Sequence, residues 1–131
     1  MRRRGTGRQW TVLGMAFGAL AGAGGAFGQR LWDDPAFVFY REATEAMDRR
    51  DHARAAALAR AAIGHYPDFV LAHFLLGQAA LALGRWEDAV AAFHTVVELY
   101  PGSVAGRRAL QTAVDRRSRE TETLVAEEQG A

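Results

Sequence analysis

The residues of this chain best suited to bind a metal ion or relay a proton are four histidines, at positions 52, 65, 73 and 94. A helical metal site needs ligands about one turn apart, as in H-x3-H, and no two of the four have that spacing. His73 and His94 fall in neighbouring predicted helices, where a hydrogen-bonded structural role is expected of them. The carboxylates are no better placed for acid–base work. Glu87-Asp88 and Glu127-Glu128 are adjacent in sequence, so each reads as a solvated pair rather than a facing one, and Asp51 falls in a predicted turn. There is no cysteine, which excludes thiolate ligands, cysteine nucleophiles, disulfides and C-x-x-C-H haem attachment. The glycine cluster Gly22-Ala23-Gly24-Gly25 lies in an apolar run and not in a phosphate-binding loop. The sequence therefore predicts no catalytic residue, no cofactor and no metal.

The elements that carry these residues read as helices throughout. Half of the residues are apolar and 24% are charged, the balance of a folded chain, and there are only three prolines. Apolar residues recur at helical spacing: Phe39, Ala43 and Ala46; Leu76, Ala79, Ala80 and Leu83; Val90, Phe93, Val96 and Val97. This predicts helices over about 36–48, 52–64, 69–83, 86–99 and 103–119. Asp34-Pro35, Asp68 and Ser103 are start signals, and Gly84 is a stop. The tail from Glu120 alternates charged and apolar residues and is expected to fray.

Self-comparison gives the clearest signal in the chain. Tyr66-Pro67 recurs as Tyr100-Pro101, 34 residues later, with two helices between. In VLAHFLLGQAALALGRWEDAVAAFHTVVELYP, Leu76-Gly77, Ala89, Phe93 and Pro101 fit the pattern W-x2-L-G-x2-Y…A-x3-F…P. On these residues the chain resembles the tetratricopeptide-repeat family. It departs from the pattern at His73, where tryptophan is usual, and at Ala80, where tyrosine is. A weaker copy precedes it, with Phe39, Ala43, Ala46, Ala55, Ala59, Ala62 and Pro67 in register and Glu42 where leucine is usual. A third first-helix follows, with Leu110 and Val114 in register. The resemblance covers residues 36–119 and implies an all-α fold, a short α-solenoid of about two and a half helix-turn-helix repeats. Its small residues, Ala43, Ala55, Gly77 and Ala89, let the helices of each hairpin approach closely, and the last helix caps the stack.

Charge is segregated along the chain. Residues 1–30 carry five arginines and no acid, whereas 31–131 carry eleven arginines against fifteen acids. A basic start on an acidic body argues against nucleic acid as a partner. Between the arginines and Arg30 lies an uncharged run, Trp10 to Phe27. Two readings of it stand. As a transmembrane anchor it is just long enough, and Trp10 and Trp32 would sit ~33 Å apart on a helix, at the two interfaces. Gly14, Gly18 and Gly22 would then form a small-residue stripe for helix packing in the bilayer. As a cleaved signal peptide it has the basic start, the moderate apolar core and an Ala21-Gly22-Ala23 cleavage triplet. Either way the arginines remain cytoplasmic and the rest is exported, to the periplasm in a Gram-negative bacterium. The predicted organisation is a basic N-terminus (1–9), an anchor or signal segment (10–27), a linker (28–35), the repeat domain (36–119) and a charged tail (120–131).

The resemblance further implies that other proteins are the partners, bound on a concave face lined by the first helix of each repeat. It places Phe37, Tyr40, Thr44, Phe74, Gln78, Leu81, Arg108 and Thr112 there. Some family members grip a partner's C-terminal carboxylate with lysine and asparagine on this face. The matching places here hold Tyr40, Thr44, Phe74 and Gln78, so an aromatic-apolar groove for a peptide or partner helix is expected instead. The rival expectation is that Phe37, Tyr40 and Phe74 merely pack against the anchor or on one another. The functional expectation is a membrane-anchored, non-enzymatic interaction module, an accessory subunit of a larger membrane complex. The alternatives are a transient maturation factor, as in cytochrome biogenesis, or a secreted self-assembling protein released by cleavage.

Overall fold

The computed structural model describes residues 33–130. These form five helices: α1 (Pro35–Asp48), α2 (His52–His65), α3 (Val70–Ala82), α4 (Trp86–Leu99) and α5 (Val104–Gly130). There is no strand among the described residues. Consecutive helices pack in order, α1 on α2, α2 on α3, α3 on α4 and α4 on α5, so the chain stacks as two hairpins and a closing helix. The apolar segment 10–27, with Gly14, Gly18 and Gly22, lies outside the described residues. Among those described, no helix is long and apolar enough to cross a membrane.

The boundaries repeat with the 34-residue period. In each hairpin the first helix ends in a left-handed residue: Arg50 at φ 60° and Gly84 at φ 70°. Each is closed by the same pair of bonds, Arg50 N to Met47 O and Asp51 N to Ala46 O (both 2.9 Å), then Gly84 N to Leu81 O (3.1 Å) and Arg85 N to Ala80 O (2.9 Å). These Schellman closures satisfy carbonyls that the helix end would otherwise orphan. Each second helix ends before an X-Pro pair. Tyr66 (φ −135°, ψ 92°) and Tyr100 (φ −138°, ψ 82°) are extended because the following proline ring disfavours the helical conformation.

The helix starts agree with expectation at Ser103, whose Oγ accepts from Gly106 N at 2.9 Å, and Pro35 opens α1 directly after Asp34. Asp68 does not cap α3. Phe69 takes the N-cap place with no side-chain bond, because a turn closed by Phe69 N to Tyr66 O (3.1 Å) shifts the helix start by one residue. Asp51 is a cap instead, its Oδ1 accepting from Arg54 N at 3.2 Å. The tail also departs from expectation: α5 does not end near Arg119 but runs on to Gly130. No proline or glycine interrupts it between Gly106 and Gly130, and its glutamates favour helix.

Two small-residue cores hold the stack. The first joins Ala43 and Ala46 of α1, Ala55, Ala56 and Ala59 of α2, and Leu75 and Ala79 of α3. The second joins Ala80 of α3, Ala89 and Phe93 of α4, and Ala113 of α5. Phe93 and Val96 are the largest fully buried side chains, and each requires a glycine opposite. A Cβ on Gly77 would lie 2.6–2.8 Å from three carbons of the Phe93 ring, and one on Gly106 would lie 2.8 Å from Val96 Cγ1. One repeat earlier, the places of Gly77 and Phe93 hold Ala43 and Ala59, both buried, so the two hairpins divide similar volume differently. The same place in α5 holds Gln111, exposed and donating from Nε2 to Asp115 Oδ1 at 2.9 Å. Its bulk and polarity suit a solvated face and not the close helix approach that Gly77 permits.

Candidate protein-binding face

By repeat position α1, α3 and α5 are the first helices of successive repeats, and α1 and α3 are in contact. Their equivalent positions, 34 residues apart, form rows. Tyr40, Phe74 and Arg108 make one row, and Thr44, Gln78 and Thr112 the next. Beside them run Phe37, Leu71 and Ala105 on one flank and Met47, Leu81 and Asp115 on the other. All eight residues expected on the concave face fall in these repeat positions, and they differ in how far they are open.

The four bulky ones are half-buried. The Phe37 and Tyr40 rings each pack on Phe69, with centroids 5.1 Å apart in both pairs, which ties the N-terminal end of α3 to α1. Phe74 meets Phe93 edge-on at 5.5 Å, and it and Leu81 border the second core. These side chains thus serve the interior with one edge and face outward with the other. Thr44, Gln78, Arg108 and Thr112 are exposed. The threonine hydroxyls donate back to their own helices, Thr44 Oγ1 to Tyr40 O and Thr112 Oγ1 to Arg108 O, both at 3.0 Å. Each hydroxyl oxygen keeps acceptor capacity, and the Gln78 amide between them presents both donors and an acceptor.

Leu71 and Met47 belong to the same rows and were not anticipated. Leu71 is 55% exposed, the most open large apolar side chain in these rows. The signal was available, since Leu71 follows Phe37 by 34 residues and Leu81 follows Met47 by the same interval.

The histidines are dispersed. His73 Nε2 lies 2.7 Å from Pro67 O, so the residue in the family's tryptophan place ties α3 to the preceding turn. His94 Nδ1 lies 3.4 Å from Glu98, one turn along its own helix, and His65 stacks on Phe39 at 5.6 Å. His52 Nδ1 is buried with no hydrogen-bond partner among the described residues. Among the described residues no group of three or more His, Cys, Asp or Glu side chains is arranged to hold a metal ion. Glu87 and Asp88, the adjacent carboxylates, point to different partners: Glu87 to Arg117 of α5 at 3.4 Å, Asp88 to Arg60 of α2 at 3.6 Å. They brace neighbouring elements on the outside of the stack.

These repeat positions hold apolar edges, hydroxyls, an amide and one guanidinium, a mixture that suits binding a polypeptide. Comparison with known proteins bears on the same segment. A tetratricopeptide-repeat family model matches residues 40–104, which run from Tyr40 of α1 to the first residue of α5. A search of curated proteins finds no match. The matched span holds both left-handed closures, the Gly77–Phe93 pair and both Tyr-Pro turns, so the match and the geometry rest on the same residues. The chain belongs to the tetratricopeptide-repeat family, whose members in general are non-catalytic scaffolds that bind other proteins.

Proposed function

We propose that this protein is a membrane-anchored interaction module that stabilises a larger membrane protein complex as an accessory subunit. The observation that carries the reading is the strip formed by Leu71, Phe74, Gln78, Arg108 and Thr112, presented on a helical stack whose own core is closed. A folded scaffold with outward apolar edges gains its use by contact with another chain.

Support for the membrane part comes from the sequence. The uncharged run Trp10–Phe27 with arginines before it reads as an anchor whose N-terminus is cytoplasmic and whose repeat domain is exported, to the periplasm in a Gram-negative bacterium. The stripe Gly14, Gly18 and Gly22 supplies a second contact, inside the bilayer, and the short linker 28–35 keeps the repeats beside the membrane.

The test places one substitution in each contact and follows the complex on native gels after gentle detergent extraction. Leu71→Asp, at an exposed position, is expected to release the protein from the complex while its helical content and melting stay unchanged. Gly18→Ile is expected to weaken the same complex. Retention of both variants in a complex of unaltered size overturns the reading.

A further inference from the structure

Turns of three or four residues join the five helices, and consecutive helices pack together, so each runs back along the one before. The stack therefore has two ends. One gathers the starts of α1, α3 and α5 with the last turns of α2 and α4, and the other gathers the turns 49–51 and 83–85. The two ends differ in chemistry. Among the described residues seven large apolar side chains are exposed, and five of them lie in or within two residues of the Tyr-Pro turns: Tyr66, Leu71, Leu99, Tyr100 and Val104. The other two, Leu124 and Val125, belong to the extension of α5. None of the seven lies at the far end, which shows Asp48, Arg49, Arg50, Asp51, Arg85 and Glu87 to solvent instead.

Tyr66 and Tyr100 are repeat equivalents, each the C-cap of its helix and each more than half exposed. A phenol ring with a polar tip, set beside aliphatic side chains, favours the boundary between water and hydrocarbon. The exposed charges of this end, Asp33, Asp68 and Glu98 against Arg107 and Arg108, leave no basic excess to draw it to acidic headgroups. It is also the end at which the chain enters α1, at Pro35, with residues 28–34 between that proline and the uncharged run 10–27. The opposite end lies a helix length further on, about 20 Å for the 14 residues of α1. Resting on the reading of that run as an anchor, we propose that the Tyr-Pro end of the repeat domain is a lipid-contacting surface. Tyr66, Leu99, Tyr100 and Val104 enter the interfacial layer of a zwitterionic bilayer. Shallow contacts suffice, because a short tether holds the end at high local concentration against the surface. With this end on the lipid, α5 starts at the bilayer and its extension points away from it.

The chain has no cysteine, so single cysteines can carry a fluorophore without ambiguity. A Cβ at Gly64 meets nothing within 4 Å, and one at Gly102 meets the Tyr100 ring at an ordinary 3.8 Å, so both positions accept the label beside an intact tyrosine. The test reconstitutes full-length Gly64→Cys, Gly102→Cys, Arg49→Cys and Arg85→Cys, each labelled, in phosphatidylcholine vesicles containing a lipid with a nitroxide near the top of its acyl chain. The labels at 64 and 102 are expected to lose most of their fluorescence to the nitroxide, and those at 49 and 85 to keep theirs. Tyr66→Ser with Tyr100→Ser is expected to restore the fluorescence at 64 and 102 while helical content stays unchanged. Equal quenching at the two ends, no quenching at either, or quenching that survives the double serine change overturns the proposal. Flotation of the vesicles separates this failure from that of the anchor. Protein that floats with the vesicles while 64 and 102 stay bright keeps the anchor and loses only the lipid contact. Protein that stays behind loses both.

Discussion

Phe93 and Gly77 work as a matched pair, bulk against its absence, and the pair fixes how closely α3 and α4 approach. A Cβ at Gly77 already falls 2.6 Å from the ring, so a larger side chain must separate the helices. Gly77→Leu is expected to destabilise the repeat domain by about 1–3 kcal/mol or more through overpacking, read as a lowered thermal midpoint. An unchanged midpoint would mean that the glycine does not face the ring. Arg50 presents the opposite case. It holds φ 60° in the place where Gly84 holds φ 70° one repeat later, and a side chain pays steric energy for that conformation. Arg50→Gly is expected to stabilise the domain by about 0.5–1 kcal/mol, and a loss of stability would contradict the account of the closure. Gly77 and Gly84 were legible from the sequence because glycine announces close approach and left-handed turns. Arg50 was not, since nothing in arginine's chemistry signals such a backbone. Only its alignment with Gly84 does.

At the scale of elements, α5 is the helix that departs from the repeat. It has 27 residues where the others have 13 or 14, and from Ser118 onward every described residue is exposed. Helix held by packing exchanges its amides slowly, and helix held by local propensity does not. Hydrogen exchange is expected to be slow across 106–117 and fast across 120–130, and a chain ending at Arg119 is expected to melt where the full-length protein does. Slow exchange in 120–130, or a lower midpoint for the shortened chain, would show that the extension is packed. The five helices, the ends of α2 and α4 and the turn between α3 and α4 were legible because apolar period, Tyr-Pro turns and glycine stop agree. The end of α5 was not, because a charged surface helix and a charged tail have the same composition, and only the lack of a breaker favours helix. The start of α3 was misread for a local reason. The turn after Pro67 closes through Phe69, and an aspartate one residue early cannot cap.

For the whole molecule, the repeat period was readable because it is carried by covalent spacing, and with it came the rows of equivalent positions. How far each row is open was not readable. Phe74 and Arg108 share a repeat position, yet one is drawn onto Phe93 and the other stands clear, a difference set by what packs behind each. Two small cores, mostly alanine, stabilise a stack of this length only modestly, and a partner on the concave face would bury the outward edges of Tyr40, Leu71 and Phe74. The proposed anchor, glycine stripe and binding face together would make a subunit held at two points. The most direct test of that claim is extraction of the native protein in mild detergent, followed by sizing and identification of every co-migrating chain. The account predicts a single large assembly containing the full-length protein in fixed ratio to its neighbours. A protein that runs alone, or a mature chain beginning at Gly24, would contradict it.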